Sequence, residues 1–186
     1  LTKIGVRAFE RCFALALTSL PAGITSIGEG AFYYCLKLAL TSLPEGLTSI
    51  EDGVFNYCSK LALTSLPSGV TSVGYRAFKN CKSLALTSLP SGVTTIGGEA
   101  FAFCTNLALT SLPEGLTSID IQAFRGCTGL TSITFEGTPT SINSRVFDEC
   151  STLTSIKVPW AEGAVANAPW GATNAIITYN YTGEGE

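Results

Sequence analysis

The sequence predicts a right-handed solenoid rich in parallel β-structure, with seven coils of 23 residues and a C-terminal cap. Three observations carry this. Seven cysteines, Cys12, Cys35, Cys58, Cys81, Cys104, Cys127 and Cys150, fall at a constant interval of 23 residues. A phenylalanine, from Phe9 to Phe147, stands three residues before each of them, and a leucine, from Leu15 to Leu153, three residues after. A 23-residue period is too short for two packed helices but suits one turn of chain carrying one or two short strands. Right-handedness is the rule for parallel crossover connections.

Each segment of a coil has its own reason. Residues 61–66, Leu-Ala-Leu-Thr-Ser-Leu, end at Pro67 and read as a strand. Residues 67–69, Pro-Ser-Gly, make a turn. Residues 70–73, Val-Thr-Ser-Val, read as a second, shorter strand. Residues 74–80 carry the Ala77-Phe78 pair and most of the polar variation, which predicts a turn or a single helical turn. Stacking would set equivalent strands about 4.8 Å apart, and seven coils would span on the order of 30–35 Å. A single coil cannot bury its own apolar residues, and its neighbours complete the burial. Each large side chain fully buried contributes about 1.5–3 kcal/mol against the entropy of ordering the coil, so the stack needs several coils.

One column is ambiguous. The last two coils read Leu130-Thr-Ser-Ile133-Thr-Phe135 and Leu153-Thr-Ser-Ile156-Lys-Val158, whereas the five earlier coils read Leu-Ala-Leu-Thr-Ser-Leu. In the earlier coils Leu17, Leu40, Leu63, Leu86 and Leu109 come one residue early. Either they turn inward through a local bulge, or they form an exposed apolar ladder able to bind a partner.

The boundary falls after residue 159. Residues 160–186 leave the period, are rich in Ala, Gly and Asn, and contain Trp160, Trp170, Tyr179 and Tyr181. Residues 175–181 alternate well enough for a strand, and the segment is expected to cap the last coil. Both tryptophans are expected to pack within that cap; a ligand-stacking platform is the alternative. At the other end, Leu1 enters mid-coil, so the first coil is incomplete. Either residues precede Leu1 or this end offers unpaired strand edges for self-association. With no methionine in the chain, a segment of a longer or processed protein is expected.

Composition narrows the chemistry. The 186 residues are 46% apolar and 13% charged, which supports a core and argues against disorder. The net charge is −3 with no basic run, so no nucleic-acid partner is expected. The longest apolar run, residues 13–17, is far below the roughly 20 residues of a membrane span, so no membrane insertion is expected. Histidine is absent, which removes the commonest general base and metal ligand. The thiols lie one per coil, without CxxC spacing, so we expect structural buried cysteines and no metal site. The column Ser19, Ser42, Ser65, Ser88 and Ser111 arises from repetition, not activation. Glu51-Asp52 and Asp148-Glu149 are adjacent acids, not carboxylates opposed across a cleft. Glu45 and Glu114 share a phase three coils apart, about 14 Å. No catalytic residue and no cofactor is expected.

The repeat resembles the BspA-like leucine-rich repeats of bacterial surface and secreted proteins. The resemblance rests on Ala77-Phe78-Lys-Asn-Cys81-Lys-Ser-Leu84, then Leu89-Pro90, then Val93-Thr-Thr-Ile96-Gly97, and covers residues 1–159. It implies a leucine-rich-repeat solenoid outside the cell, used in adhesion or recognition, with no catalytic residues to transfer. The tail's Trp160-Ala-Glu-Gly and Ala168-Pro-Trp170-Gly are also similar to endings of repeat proteins from gut bacteria and their phages.

Recognition in a repeat protein is written where the repeat varies. The positions flanking each cysteine vary most, and Tyr33, Tyr34, Lys37, Tyr57 and Lys60 should cluster on one flank of coils two and three. Aromatic residues beside bases suit a binding surface. The expected function is a non-catalytic protein- or glycan-binding adhesion module, with a host surface as one possible target. The alternative is a structural spacer, or a phage or virion tail component, with no ligand of its own.

Overall fold

A computed structural model describes residues 1–183. Coils are numbered here by their cysteine, from Cys12 in coil one to Cys150 in coil seven. The chain winds through short strands whose pairings are all parallel, and among the described residues there is no helix. On one side β1 (Lys3–Ile4) pairs with β2 (Ser26–Ile27). Next along that side come β3 (Ser49–Ile50), β4 (Ser72–Val73) and β5 (Thr95–Ile96). A second side begins with β6 (Ser111–Leu112). The first side continues through β7 (Ser118–Ile119), so the chain passes from one sheet to the other within a coil. It then alternates through β8 (Ser132–Phe135), β9 (Ser141–Ile142) and β10 (Ser155–Lys157), and ends with β11 (Ile176–Thr178).

The register is what the period requires. Ile50, Val73, Ile96, Ile119 and Ile142 face one another in successive strands, all buried. Beside them runs a threonine column. The hydroxyls of Thr25, Thr71, Thr94, Thr117 and Thr140 each donate to the carbonyl of the threonine 23 residues earlier, at 2.8–3.3 Å. The second predicted strand, residues 70–73, is therefore present in shortened form as β4.

The first predicted strand is not. Residues 61–66 are extended without regular pairing; one backbone bond, from Ala62 N to Leu40 O at 3.0 Å, ties this stretch to the coil before. The reason lies in the leucines. Leu61, Leu63 and Leu66 all point inward while Thr64 and Ser65 stay exposed, so inward positions are spaced by two and then by three. In coil six Leu130, Ile133 and Phe135 are inward, spaced by three and then by two. The two-residue outward kink comes late in the earlier coils and early in the later ones. Only after the early kink does an unbroken run remain for β8 and β10. Leu40, Leu63, Leu86 and Leu109 are thus buried, and the exposed apolar ladder does not exist. Leu17 alone, in coil one, is exposed.

The remaining side is a run of tight turns. In coil three the N–H groups of Gly53, Phe55 and Tyr57 donate to carbonyls of coil four, at Tyr75, Ala77 and Lys79. The intervening N–H groups of Val54, Asn56 and Cys58 donate back three residues within their own coil. Every backbone donor is used, which is what permits a buried turn. The phenylalanine rings follow the backbone and stack from Phe9 to Phe147, with centroids 5.3–5.7 Å apart and planes within 14°.

The thiols have a bond as well as a place. Sγ of Cys35, Cys58, Cys81, Cys104, Cys127 and Cys150 lies 3.0 Å from the carbonyl oxygen of the phenylalanine 26 residues earlier. That same carbonyl also accepts the N–H of the cysteine three residues on, as in Cys58 N to Phe55 O. An S–H donor fits where a methyl group would leave the oxygen with one partner. These six cysteines are buried and all seven are free; Cys12 is exposed. Burial pushes Cys35 and Cys150 up to about 11, and Cys58, Cys81, Cys104 and Cys127 higher still.

The tail continues the winding. β11 pairs with β10, with Ile177 opposite Ile156, and Phe147 N donates to Trp170 O, so residues 160–178 lay an eighth turn on coil seven. Both tryptophans are buried and pack around Phe135, with ring centroids 5.2 and 6.0 Å away. They form no exposed platform. The predicted strand at residues 175–181 narrows to β11.

Two outcomes follow from this packing. Phe78→Ala empties a fully buried site in the ring stack and should lower stability by about 3–5 kcal/mol; an unchanged urea midpoint would contradict the stack. The second concerns alkali. The buried thiols hold their protons more tightly than unfolded thiols, which ionise near about 8.5. Their contribution is therefore complete below that pH and is lost as pH rises towards about 11 for Cys35 and Cys150. Urea midpoints should fall from pH 8 upward, less steeply in Cys81→Ala, and a thiol reagent at neutral pH should label Cys12 alone until the protein unfolds.

Candidate functional site

The turn side is where sequence variation and unusual backbone coincide. Two positions flank each core phenylalanine at a distance of two residues, and from Phe9 to Phe124 both take positive φ. In the middle coils they are Gly30 and Tyr34 around Phe32, Gly53 and Tyr57 around Phe55, Arg76 and Asn80 around Phe78, and Glu99 and Phe103 around Phe101. This left-handed conformation is disfavoured for a residue with a Cβ. Here it is imposed by the turn hydrogen bonds on both sides, so the side chains project from a fixed, preorganised backbone.

The structure brings the three candidate tyrosines together. Tyr34 and Tyr57 stack at 4.2 Å between centroids, with planes 14° apart, and Tyr33 meets Tyr34 edge to face at 4.7 Å. All three are half-buried. The hydrogen-bonding Tyr57 phenol, then burial, raise the Tyr34 phenol above its ordinary value. Lys60 joins Tyr57 in one shallow groove with Leu36, Ser59, Asn80 and Lys82. Lys37 is exposed and lines neither this groove nor the one on the far side of the ridge. The tyrosine ridge therefore divides two grooves, and Tyr33 borders the second, whose walls are Arg7 and Arg76.

Further along the same side the charges pair between coils. Glu99 accepts from Arg76 at 2.7 Å and from Lys79, and the Tyr75 hydroxyl lies 3.2 Å away. Partial burial alone would raise Glu99, but Lys79 and Arg76 outweigh it and hold the carboxyl below its usual value. Arg125 bonds Glu149 at 2.6 Å and lies over the Phe103 ring.

The acids weighed for hydrolysis are each engaged locally. Glu51 accepts from Ser49 Oγ, Asp52 from Tyr75 N, and Asp148 from Arg145. Among the described residues no three of His, Cys, Asp or Glu are placed to hold a metal ion, and no helix is long and apolar enough to cross a membrane.

Sequence reasoning missed the second groove. Its lining includes Arg7, Glu29, Tyr33, Asp52, Tyr75 and Arg76, with Asn56 buried among them. The available signal was a pair of glycines, Gly30 and Gly53, in a column that otherwise holds Arg7, Arg76, Glu99, Gln122 and Arg145.

Comparison with known proteins agrees with the coil geometry. The family model for the BspA type leucine-rich repeat region matches residues 1–108 and 74–163, in six copies. A leucine-rich repeat protein of T. pallidum is 33% identical, with 82% of this chain and 72% of that one covered, and a TM-score of 0.71. A leucine-rich repeat protein from Bacteroides ovatus ATCC 8483 is 19% identical, covers 96% of this chain and 64% of its own, and has a TM-score of 0.42. A leucine-rich cell surface protein from Faecalibacterium prausnitzii A2-165 is 22% identical, with coverage of 87% and 70% and a TM-score of 0.40. No curated protein matches.

Proposed function

We propose, from the premise that the chain belongs to the BspA-type leucine-rich repeat family, that it is a binding module whose tyrosine ridge takes a protein ligand. Leucine-rich repeats generally bind proteins, and their solenoid is typically not catalytic. The observation that carries the reading is the stacked pair Tyr34 and Tyr57, 4.2 Å apart on left-handed backbone, beside Tyr33. Rigid, half-buried tyrosines supply contact area at little conformational cost, which is why they dominate binding hot spots. Lys60 and the adjoining groove add a polar rim.

The place of action in this reading is the surface of a bacterial cell or the medium around it. Family membership supports that, and the burial of six of the seven free cysteines is compatible with it. Six free thiols would be a liability in an oxidising compartment were they not buried and fully protonated.

The test uses the repeat itself to choose variants. Asn80 occupies the position of Tyr34 and Tyr57 one coil further on, with the same positive φ. A Tyr34→Asn, Tyr57→Asn double variant should therefore keep the fold, with unchanged circular dichroism. In surface plasmon resonance against a panel of purified host extracellular-matrix proteins, the native chain should bind at least one. The double variant should bind it about tenfold or more weakly, a loss of about 1.4 kcal/mol. Equal binding by the variant rules out the ridge. Binding to no member of the panel leaves the spacer reading, in which the stack supplies length and stiffness only.

A further inference from the structure

The column two residues before the core phenylalanine reads Arg7, Gly30, Gly53, Arg76, Glu99, Gln122 and Arg145, the first six with positive φ. The long side chains lie over the turn surface; the two glycines leave it bare. A Cβ at Gly53 would meet nothing within 4 Å, and one at Gly30 would sit 3.3 Å from Arg7 Cγ. Two missing side chains in adjacent coils thus open a groove of about 300 Å³ between Arg7 and Arg76, at the small end of the range for small-molecule sites.

Its lining is unusual in one respect. Asn56 is the buried polar residue of the chain's described core, 6% exposed, and its Oδ1 has no hydrogen-bond partner. An unpaired buried amide oxygen is destabilising unless a donor reaches it. The next residue of the same column, Lys79, pairs with Glu99. Asn56 instead lines the groove.

We propose that this groove binds a neutral saccharide unit, with Asn56 accepting from a sugar hydroxyl and Tyr33 and Tyr75 flanking the ring. The charges argue against an anionic ligand. Arg7 faces Glu10 at 3.7 Å, Arg76 is held by Glu99, and Asp52 Oδ1 accepts from Tyr75 N at 2.7 Å. That leaves Glu29 and Asp52 as an acidic excess in a polar lining, which repels an anion and can accept from sugar hydroxyls. A pyranose offers what remains: hydroxyls that both donate and accept, and a C–H face that packs on aromatic rings. The Arg76 guanidinium, 4.6 Å from the Tyr75 ring, fixes that ring at the rim.

This inference goes beyond the protein-binding reading and does not depend on it, because Tyr34 and Tyr57 do not line the groove. The test is an amide NMR titration of the full chain with maltotriose, cellotriose, mannotriose and triacetylchitotriose at millimolar concentration. At least one should give saturable shifts at residues 53–56 and 75–76, including the Asn56 side-chain amide. Gly53→Arg copies what Arg76 does at the equivalent position and φ, so it should fold normally, fill the groove and weaken binding about tenfold or more. Asn56→Leu should also lose binding, whereas Ser65→Arg, on an exposed stretch of another side, should not. The proposal is overturned if none of the four sugars shifts those amides, if the shifts fall elsewhere, or if Gly53→Arg binds like the native chain. In each of those cases the tyrosine ridge can still bind protein.

Discussion

Hydrogen bonds between successive coils join like parts of neighbouring repeats, as in Phe55 N to Ala77 O and Thr71 N to Thr48 O. This step from coil to coil forces like onto like throughout the molecule. Phenylalanine rings lie parallel, coil upon coil, at a centroid spacing that suits offset stacking, because the backbone sets their position. The same step governs the outside. Opposite charges meet between coils at Arg76 and Glu99 and at Arg125 and Glu149, whereas Lys37 with Lys60 and Glu29 with Asp52 repeat one sign in a column and stay at the solvent-facing surface or the groove.

Most of the fold could be read from the sequence because the repeat averages away local ambiguity: one column of Ile or Val is weak evidence, six in phase are strong. Leu63 shows where that method ends. Its column is periodic whether it points in or out, and the direction depends on where a two-residue kink falls, which periodicity does not encode. The threonine ladder was equally visible as a column, but an exposed threonine gives no sign that its hydroxyl serves the neighbouring coil. The cysteine column was read as small apolar filler. Its shared bond to a phenylalanine carbonyl depends on a geometry 26 residues away.

The candidate site was legible in part. Tyr33, Tyr34 and Tyr57 meet because their positions share one side of adjacent coils. Lys37 and Lys60 both lie two residues past their cysteines, yet only Lys60 lines the groove with Tyr57, so this difference was not visible in the repeat. The second groove is made by absence, and absence is hard to notice in a sequence. On this side the backbone is dictated by its own hydrogen bonds, so Arg, Gly, Glu, Gln, Tyr, Asn and Phe all occupy positive-φ positions. The fold therefore constrains little of what these residues are, and the surface is free to be shaped by what it touches.

The switch in leucine spacing between coils five and six bears on how such a chain can grow. Coils two to five share one inward leucine spacing, so a further copy inserted among them would meet the same spacing on both sides. Coils six and seven form a second matched set, joined to the first where Ser111–Leu112 pairs with Thr134–Phe135. A duplicated coil within either set creates no new kind of interface, whereas one that straddled the boundary would have to make the mismatched junction twice. The length of the stack is thus open to change by whole coils during descent, while the order of the two sets is held fixed by a single seam.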